Sequence, residues 1–265
     1  MIKVVVTGAA GRMGREVVRA VSNTPGMGVV GAVDPGHAGE DAGVLAGIKP
    51  LGVAVRSDLE NVLRETAAEV MVDFTTAKAA AENIRVALNC GVRPVVGTTG
   101  IPKEELDGLI RLSREKGIGG LVAPNFAIGA VLMMYFAGIA ARYLPAAEVI
   151  ELHHNQKLDA PSGTALKTAE VIATARGEAA VEDRTELEKL DGARGGTLEG
   201  IRIHSVRLPG LVAHQEVIFG GLGQTLSIRH DSISRESFMP GVIMGIKKVR
   251  ELQEIVHGLD KLIFG

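Results

Sequence analysis

The sequence is poor in the residues that mark several common classes of protein. Its single cysteine, Cys90, excludes an internal disulfide and is typical of a reducing compartment. There is no tryptophan, and six phenylalanines with two tyrosines offer few rings for stacking nucleic-acid bases. The net charge of −2 likewise provides no basic field that would attract a nucleic acid.

Long apolar runs are missing as well. No uninterrupted apolar stretch reaches the roughly 18 residues of a transmembrane helix, and the first residues enter a strand pattern without the long apolar region of a signal peptide. These absences predict a soluble, cytoplasmic protein with no membrane or nucleic-acid partner. Hydrophobic residues still make up 46% of the 265-residue chain, which is enough for one large domain or two modest ones.

The first half of the chain alternates apolar strands with helical patterns. Residues 2–6 are apolar and β-branched except for Lys3, a run of the kind found in strands buried on both faces. Further strands are predicted at 29–33, 70–74, 94–96 and 120–123, and helices at 12–21, at 77–89 and after Pro102. This alternation predicts an α/β fold with a doubly wound parallel sheet of the Rossmann type.

The second half predicts an α+β domain with an open mixed sheet. Helices are predicted at 126–143 and 164–176, and strands at 148–154, 201–207, 211–219 and 224–230. Turns at Pro209-Gly210 and at 220–223 indicate antiparallel pairing. The polar stretch 177–200 predicts a mobile loop, and 235–256 a closing helix. We therefore expect a dinucleotide-binding domain at 1–124, to which the C-terminal segment 236–265 returns, and a substrate-binding and oligomerisation domain at 125–235.

A glycine pattern follows the first predicted strand. Gly8, Gly11 and Gly14 are spaced three apart and open a predicted helix, the context in which a backbone turn approaches a pyrophosphate. Asp34 ends the second strand, where a carboxylate accepts hydrogen bonds from the adenine ribose. The alternative is a structural turn with an ordinary loop aspartate.

Two further segments end predicted strands at the same edge of the sheet. Gly97-Thr98-Thr99 follows the fourth strand, and Ala123-Pro124-Asn125-Phe126 follows the fifth. Ligands of open α/β sheets bind at the carboxyl ends of the strands. Ordinary loop chemistry remains an equal alternative for each segment taken alone.

The segment 151–165 concentrates proton donors beside a helix start. His153 and His154 are adjacent, so on a strand they point to opposite faces, and Lys157 follows in a loop. Ser162 is placed to cap the next helix, and the exposed N–H groups of Gly163 and Thr164 suit a carboxylate. No third ligand stands at a useful spacing, so a metal site is disfavoured. The alternative is a plain capped helix after a surface loop.

The residues of this segment, together with Gly8 to Gly14, Val72-Asp73-Phe74-Thr75, Gly97 to Gly100 and Ala123 to Phe126, closely resemble the dihydrodipicolinate reductase family. The resemblance covers essentially the whole chain. It implies reduction of dihydrodipicolinate (4-hydroxy-tetrahydrodipicolinate) to tetrahydrodipicolinate in lysine biosynthesis via diaminopimelate. It also implies a homotetramer that associates through the sheets of its second domains.

The resemblance implies a role for each matching residue. His153 and Lys157 match the catalytic proton donors, and His154 matches a substrate-binding residue. Gly163 and Thr164 match the residues that hold a substrate carboxylate, helped by Ser162 and Arg235. The nicotinamide-cofactor positions are matched by Gly8, Ala9, Ala10, Gly11, Arg12, Met13, Asp34, Gly97, Thr98, Thr99, Ala123, Pro124, Asn125 and Phe126.

Cofactor choice and two other protein classes stay open. NADH is favoured over NADPH, because Asp34 is followed by Pro35 rather than by an arginine, and Arg12 is the one nearby cation that suits a 2′-phosphate. One alternative is another two-domain Rossmann reductase acting on a small carboxylated imine or amino acid, which would not need the 159–164 cradle. The other is a non-catalytic nucleotide-sensing module, which would lack the proton donors.

Overall fold

The computed structural model describes residues 1–177 and 187–265, and the chain divides into two compact units. The first unit comprises Met1–Phe126 and Arg235–Gly265, and the second comprises Ala127–Ser234. The chain therefore leaves the first unit once and returns to it. No helix in the described part of the chain is long and apolar enough to cross a membrane.

The first unit is built on a parallel sheet in the strand order β12-β6-β5-β4-β1-β2-β3. Its strands are β1 Ile2–Thr7, β2 Met27–Val33, β3 Val55–Arg56, β4 Val70–Asp73, β5 Arg93–Val96, β6 Gly120–Val122 and β12 Ile255–His257. Its helices are α1 Arg12–Asn23, α2 Ala42–Leu45, α3 Leu59–Thr66, α4 Ala77–Asn89, α5 Lys103–Lys116, α8 Met239–Lys248 and α9 Asp260–Phe264. Central β1 has Val4, Val5 and Val6 fully buried, because residues on both of its faces lie in the core.

The prediction of one continuous closing helix over 235–256 is wrong. A short 3-10 helix, Arg235–Phe238, leads into α8, which ends at Lys248, and the chain then enters β12 beside β6. The N–H of Ile255 donates to the buried Oγ of Ser113 at 2.7 Å, and Gly120 has no side chain where Ile255 packs. A three-residue strand fixed by such long-range contacts leaves no periodic signal in the sequence, and the two-residue β3 went unpredicted for the same reason.

The second unit carries a mixed sheet in the order β11-β10-β7-β9-β8. Its strands are β7 Ala146–His153, β8 Gly196–Leu198, β9 Ile201–Arg207, β10 Ala213–Gly221 and β11 Gln224–Ser232, and its helices are α6 Ile128–Ala141 and α7 Gly163–Arg176. The helices pack on one face, where Val149, Ile201 and Val217 are buried. The predicted fold class, a Rossmann-type parallel sheet plus an open mixed sheet, is confirmed.

Two local predictions in the second unit need correction. The Pro209-Gly210 turn does not join two paired strands, because β7 lies between β9 and β10 in the sheet. The connection from β9 to β10 passes the end of β7, where the N–H of Leu208 donates to the carbonyl of His153. Within the predicted loop 177–200, β8 forms an antiparallel edge strand on β9. Residues 178–186 of that loop lie outside the described residues.

Candidate active site

The turn between β1 and α1 is too closely packed for side chains. Gly8 has a φ of +66°, and its carbonyl accepts the N–H of Gly11 at 3.0 Å. A Cβ on Gly14 would lie 2.0 Å from the Gly8 oxygen. This leaves an exposed helix start, with Gly11 as the N-cap, and a glycine-lined cradle that fits a pyrophosphate. Of the residues between these glycines, Ala9 and Ala10 are buried, Met13 is half-buried and Arg12 is exposed.

Asp34 follows β2 and connects it to the glycine turn. One carboxylate oxygen accepts the N–H of Ala10 at 3.1 Å, and the other accepts the N–H of Gly36 at 3.1 Å. The second bond caps the short 3-10 helix Pro35–His37. The carboxylate is thus held in a fixed position beside the cradle, as recognition of a ribose requires.

A buried carboxylate for which the sequence predicted no role fastens the neighbouring strand ends together. Asp73, fully buried, accepts hydrogen bonds from the hydroxyls of Thr7 (2.7 Å), Thr75 (2.8 Å) and Thr98 (2.9 Å), and from the amide of Asn83 (2.7 Å). The N–H of Thr75 adds a fifth bond at 2.9 Å. Five donors compensate the desolvated charge without a cation. They also bring the ends of β1, β4 and β5 together.

Gly97 is required by the packing of aromatic rings at the same edge. A Cβ there would lie 2.0 Å from the Phe74 ring, whose centroid is 5.8 Å from that of Phe126. The other predicted cofactor residues of this edge are Thr98, Thr99, Ala123, Pro124 and Asn125; Thr99 and Pro124 are exposed, and Asn125 is half-buried. All fourteen predicted cofactor residues lie in the first unit, beside the carboxyl ends of β1, β2, β5 and β6.

In the second unit, the end of β7 presents His153 against a buried carboxylate. Nδ1 of His153 lies 2.5 Å from Oε2 of Glu151, which is two residues earlier on the same face of the strand. Burial opposes the ionisation of Glu151, but hydrogen bonds from His153, Arg207 and Ser205 outweigh it and lower the pKa of Glu151 to about 2. The ionised carboxylate only accepts, so the hydrogen of the imidazole must be on Nδ1.

Arg207, at the end of β9, donates two parallel hydrogen bonds to the same carboxylate. Its Nη1 donates to Oε2 of Glu151 at 2.9 Å, and its Nη2 donates to Oε1 at 2.8 Å. Nη2 also donates to the carbonyl of Asp159 at 2.7 Å. Neither Glu151 nor Arg207 was assigned a role from the sequence. The two-residue spacing of Glu151 and His153 on a predicted strand was the available signal, whereas Arg207 is 56 residues away.

Lys157 and His154 lie in the loop that leaves β7. Nζ of Lys157 contacts both carboxylate oxygens of Asp159, at 2.8 and 2.9 Å, and this bond lowers the pKa of Asp159. His154 is half-buried, and its Nδ1 has no hydrogen-bond partner among residues 1–177 and 187–265. The loop therefore carries an ammonium group that is paired with Asp159 and a buried imidazole nitrogen without a partner in the described part of the chain.

The start of α7 is the place where the sequence predicts a carboxylate cradle. The hydroxyl of Ser162 accepts the N–H of Ala165 at 3.2 Å and caps the helix. A Cβ added to Gly163, the first residue of α7, would meet no atom within 4 Å, and Thr164 follows it. The N–H of Ser162 donates to Oε1 of Glu151 at 3.3 Å, so this helix start is tied to the His153 carboxylate.

Arg235, also predicted to help bind a substrate carboxylate, begins the 3-10 helix Arg235–Phe238 of the first unit. His153, His154, Lys157 and Ser162 to Thr164, by contrast, all lie between the end of β7 and the first turn of α7. No cluster of three or more metal-ligating side chains occurs in the described part of the chain.

Comparison with known proteins places this geometry in a family. A model of the dihydrodipicolinate reductase N-terminus matches residues 2–126, and a model of the C-terminus matches residues 129–263. The 4-hydroxy-tetrahydrodipicolinate reductase of Moorella thermoacetica is 57% identical, over 99% of this chain and 98% of that one. The enzyme of the same name from Halalkalibacterium halodurans is 52% identical, over 99% of this chain and 100% of that one.

Solved structures give the same answer. A dipicolinate-bound dihydrodipicolinate reductase from Paenisporosarcina sp. TG-14 superposes with a TM-score of 0.87 at 45% identity, covering 98% of this chain and 99% of that one. An amine dehydrogenase from Mycobacterium smegmatis, at 18% identity and a TM-score of 0.69 over 98% of this chain and 95% of that one, shares the fold alone. The resemblance noted in the sequence is confirmed, and the chain belongs to the dihydrodipicolinate reductase family.

Proposed function

We propose that this protein is a cytoplasmic NAD(P)H-dependent 4-hydroxy-tetrahydrodipicolinate reductase that forms tetrahydrodipicolinate for lysine synthesis via diaminopimelate. One observation carries the proposal. Glu151 orients the imidazole of His153 and accepts the N–H of Ser162 at the start of α7. Through Arg207 and Asp159, the same carboxylate is connected by hydrogen bonds to Lys157 in the loop after β7. Family membership identifies the chemistry that this arrangement suits.

The proposed substrate is a cyclic imine that carries two carboxylates. The N–H groups at Gly163 and Thr164 and the positive end of α7 suit one carboxylate. Lys157 and His154 supply a positive charge and a donor for the other end of the ring. Arg235 lies in the first unit, and its contribution to carboxylate binding stays a prediction.

Residues of the chain donate the proton that the reaction requires. Bound NADH or NADPH, held by the first unit, supplies the hydride. Loss of water from the 4-hydroxy compound gives dihydrodipicolinate, whose ring C4 takes the hydride. The carbon between C4 and the 2-carboxylate-bearing carbon then needs a proton, which His153 or Lys157 delivers. With Nδ1–H directed to Glu151, His153 presents Nε2 for proton transfer, and the charge of Glu151 balances the imidazolium.

The assay for this function follows NADH absorbance after addition of freshly made dihydrodipicolinate. We expect rapid loss of absorbance with this substrate, and no gain in NADH absorbance when NAD⁺ is supplied with amino acids or polyols. Activity on those compounds alone would identify another two-domain reductase. NADH binding without any turnover would identify a nucleotide-sensing module.

We further propose that the protein is a homotetramer assembled through its mixed sheets. The helices α6 and α7 cover one face of the sheet in the second unit. Ile150, Leu152 and Ile218 alternate with the core positions of their strands and point away from that core. Partly apolar side chains on the open face suit burial against a second copy.

The Asp34-Pro35 corner leads us to propose that NADH is preferred over NADPH. A 2′-phosphate beside Asp34 would meet a carboxylate, and Pro35 offers no compensating charge. Pro35→Arg should shift the ratio of kcat/KM values toward NADPH, whereas Arg12→Ala should shift it toward NADH. Pro35→Ala is the matched control, because it removes the proline without adding charge. A wild-type protein that prefers NADPH by about tenfold, or 1.4 kcal/mol, would contradict this assignment.

The start of α7 yields a prediction on substrate affinity. Thr164→Val should raise the KM for substrate on the order of tenfold with little change in kcat, because one hydrogen bond to a charged group is lost while the backbone donors remain. Thr164→Ser keeps a hydroxyl and should retain most of the affinity. Dipicolinate should inhibit competitively; inhibition that added substrate does not relieve would indicate that Ser162 to Thr164 form only a helix cap.

A further inference from the structure

We propose that the buried ion pair of Glu151 and Arg207 is a positioning device, which holds His153, the Lys157 loop and the start of α7 in one arrangement. The inference rests on the proposed function, since it assigns how the catalytic groups of that site are kept in place. Neither residue is itself proposed to touch the substrate.

Apart from a hydrogen bond from Ser205 on β9, the hydrogen bonds of the Glu151 carboxylate go to parts of the site. Oε2 contacts His153, Oε1 accepts the N–H of Ser162, and the guanidinium of Arg207 spans both oxygens. Glu151 is fully buried, and an ion pair in such a place adds little stability over apolar side chains of similar volume. What the pair does supply is geometric restraint on three neighbouring segments.

The first restraint acts on the imidazole. Because Glu151 is ionised and can only accept, it fixes the hydrogen of His153 on Nδ1 and leaves Nε2 for the substrate. It also fixes the rotation of the ring about the strand end. A neutral amide at position 151 could turn either its oxygen or its NH₂ group toward the imidazole, and the restraint would be lost.

The second restraint acts on the loop. Arg207 bonds to Glu151 and, through Nη2, to the carbonyl of Asp159, whose carboxylate holds Nζ of Lys157. The guanidinium of Arg207 therefore links Glu151, which orients His153, to Asp159, which binds Lys157. A lysine at position 207 could not form the parallel bonds to Glu151 and reach the carbonyl as well.

The same strand carries a matched control on its opposite face. Glu148 pairs with Arg194 at 2.5 Å and with His204 at 2.7 Å, so it repeats the arginine–glutamate–histidine chemistry. Glu148 and Glu151 are three positions apart on the strand, so the two side chains point to opposite faces of β7. Glu148 is also 36% exposed, whereas Glu151 is fully buried, and no proposed site residue bonds to it.

The test compares Glu151→Gln and Arg207→Lys with Glu148→Gln. We expect the first two variants to lower kcat on the order of 10- to 100-fold, the usual cost of losing a partner that orients a functional histidine, with an unchanged KM for NADH. Glu148→Gln should keep kcat near the wild-type value, and its oligomeric state is measured alongside because its side chain lies on the sheet face proposed for assembly. The double variant Glu151→Gln with Arg207→Met removes both charges together, so it separates lost positioning from an uncompensated buried charge.

Nitrogen NMR of histidine-labelled protein supplies a readout independent of turnover. We expect His153, identified by comparison with His153→Gln, to carry its hydrogen on Nδ1 in the wild type and to lose this preference in Glu151→Gln. If the wild type lacks reductase activity but shows this tautomer, the proposed function fails and the positioning survives. Wild-type kcat in the folded double variant, or an unchanged tautomer in Glu151→Gln, would overturn the inference.

Discussion

His153→Gln and Lys157→Gln should each lower the turnover of dihydrodipicolinate by about 10²- to 10⁴-fold, the range for loss of a general acid–base group. Glutamine occupies a similar volume, but it neither gains nor loses a proton near neutral pH. The structure sharpens this expectation for His153, because its Nδ1 is committed to Glu151 and only Nε2 remains for the reacting carbon. Steady-state rates at saturating NADH provide the measurement.

The Kd for NADH distinguishes loss of a proton donor from a wrong assignment of cofactor binding to the first unit. Both residues belong to the second unit, whereas every predicted cofactor residue belongs to the first, so the Kd for NADH should stay nearly unchanged. His204→Gln is a suitable control, because His204 also pairs with a glutamate of β7 but on the opposite face. Near wild-type turnover in either variant would remove its assigned role. Weaker NADH binding in both would contradict the division between the units.

The parts of the site that the sequence predicted are the local ones. Gly8, Gly11 and Gly14 mark a turn whose demands fall within seven residues, and Ser162 caps a helix that starts at the next residue. Such features depend on backbone geometry close in the chain, so residue types and their spacing are sufficient to identify them.

The parts that it missed depend on distant partners. Asp73 receives hydrogen bonds from Thr7 and Thr98, and Glu151 receives them from Arg207, across separations of 25 to 66 residues. A buried carboxylate is recognisable only once its donors are assembled around it. The edge strands β3 and β12 were missed for a related reason, since pairing with the neighbouring strand, rather than periodicity, defines them.

Gly14→Ala should weaken NADH binding by about 100-fold. The added Cβ would lie 2.0 Å from the Gly8 oxygen, 2.7 Å from the Gly8 carbonyl carbon and 2.8 Å from the Ala9 Cα, all of them backbone atoms. Overpacking of this kind costs typically 1–3 kcal/mol, and backbone that cannot rotate away places it at the upper end. The turn must therefore open in the variant. Closing it again when NADH binds weakens the free energy of binding by about 3 kcal/mol, which raises the Kd about 100-fold.

Gly108→Ala is the matched control for this prediction, because it adds the same methyl group to a helix of the same unit. The nearest atom to its Cβ is the flexible Nη2 of Arg111 at 3.7 Å, and alanine in a helix interior is favoured over glycine by roughly 0.5–1 kcal/mol. Gly108→Ala should thus keep NADH affinity and unfold at a slightly higher temperature. Dipicolinate binding should survive in both variants, since its proposed site belongs to the second unit. If Gly14→Ala binds NADH as tightly as Gly108→Ala does, the turn between β1 and α1 is not the pyrophosphate cradle, and the cofactor must be held by the other strand ends of that sheet.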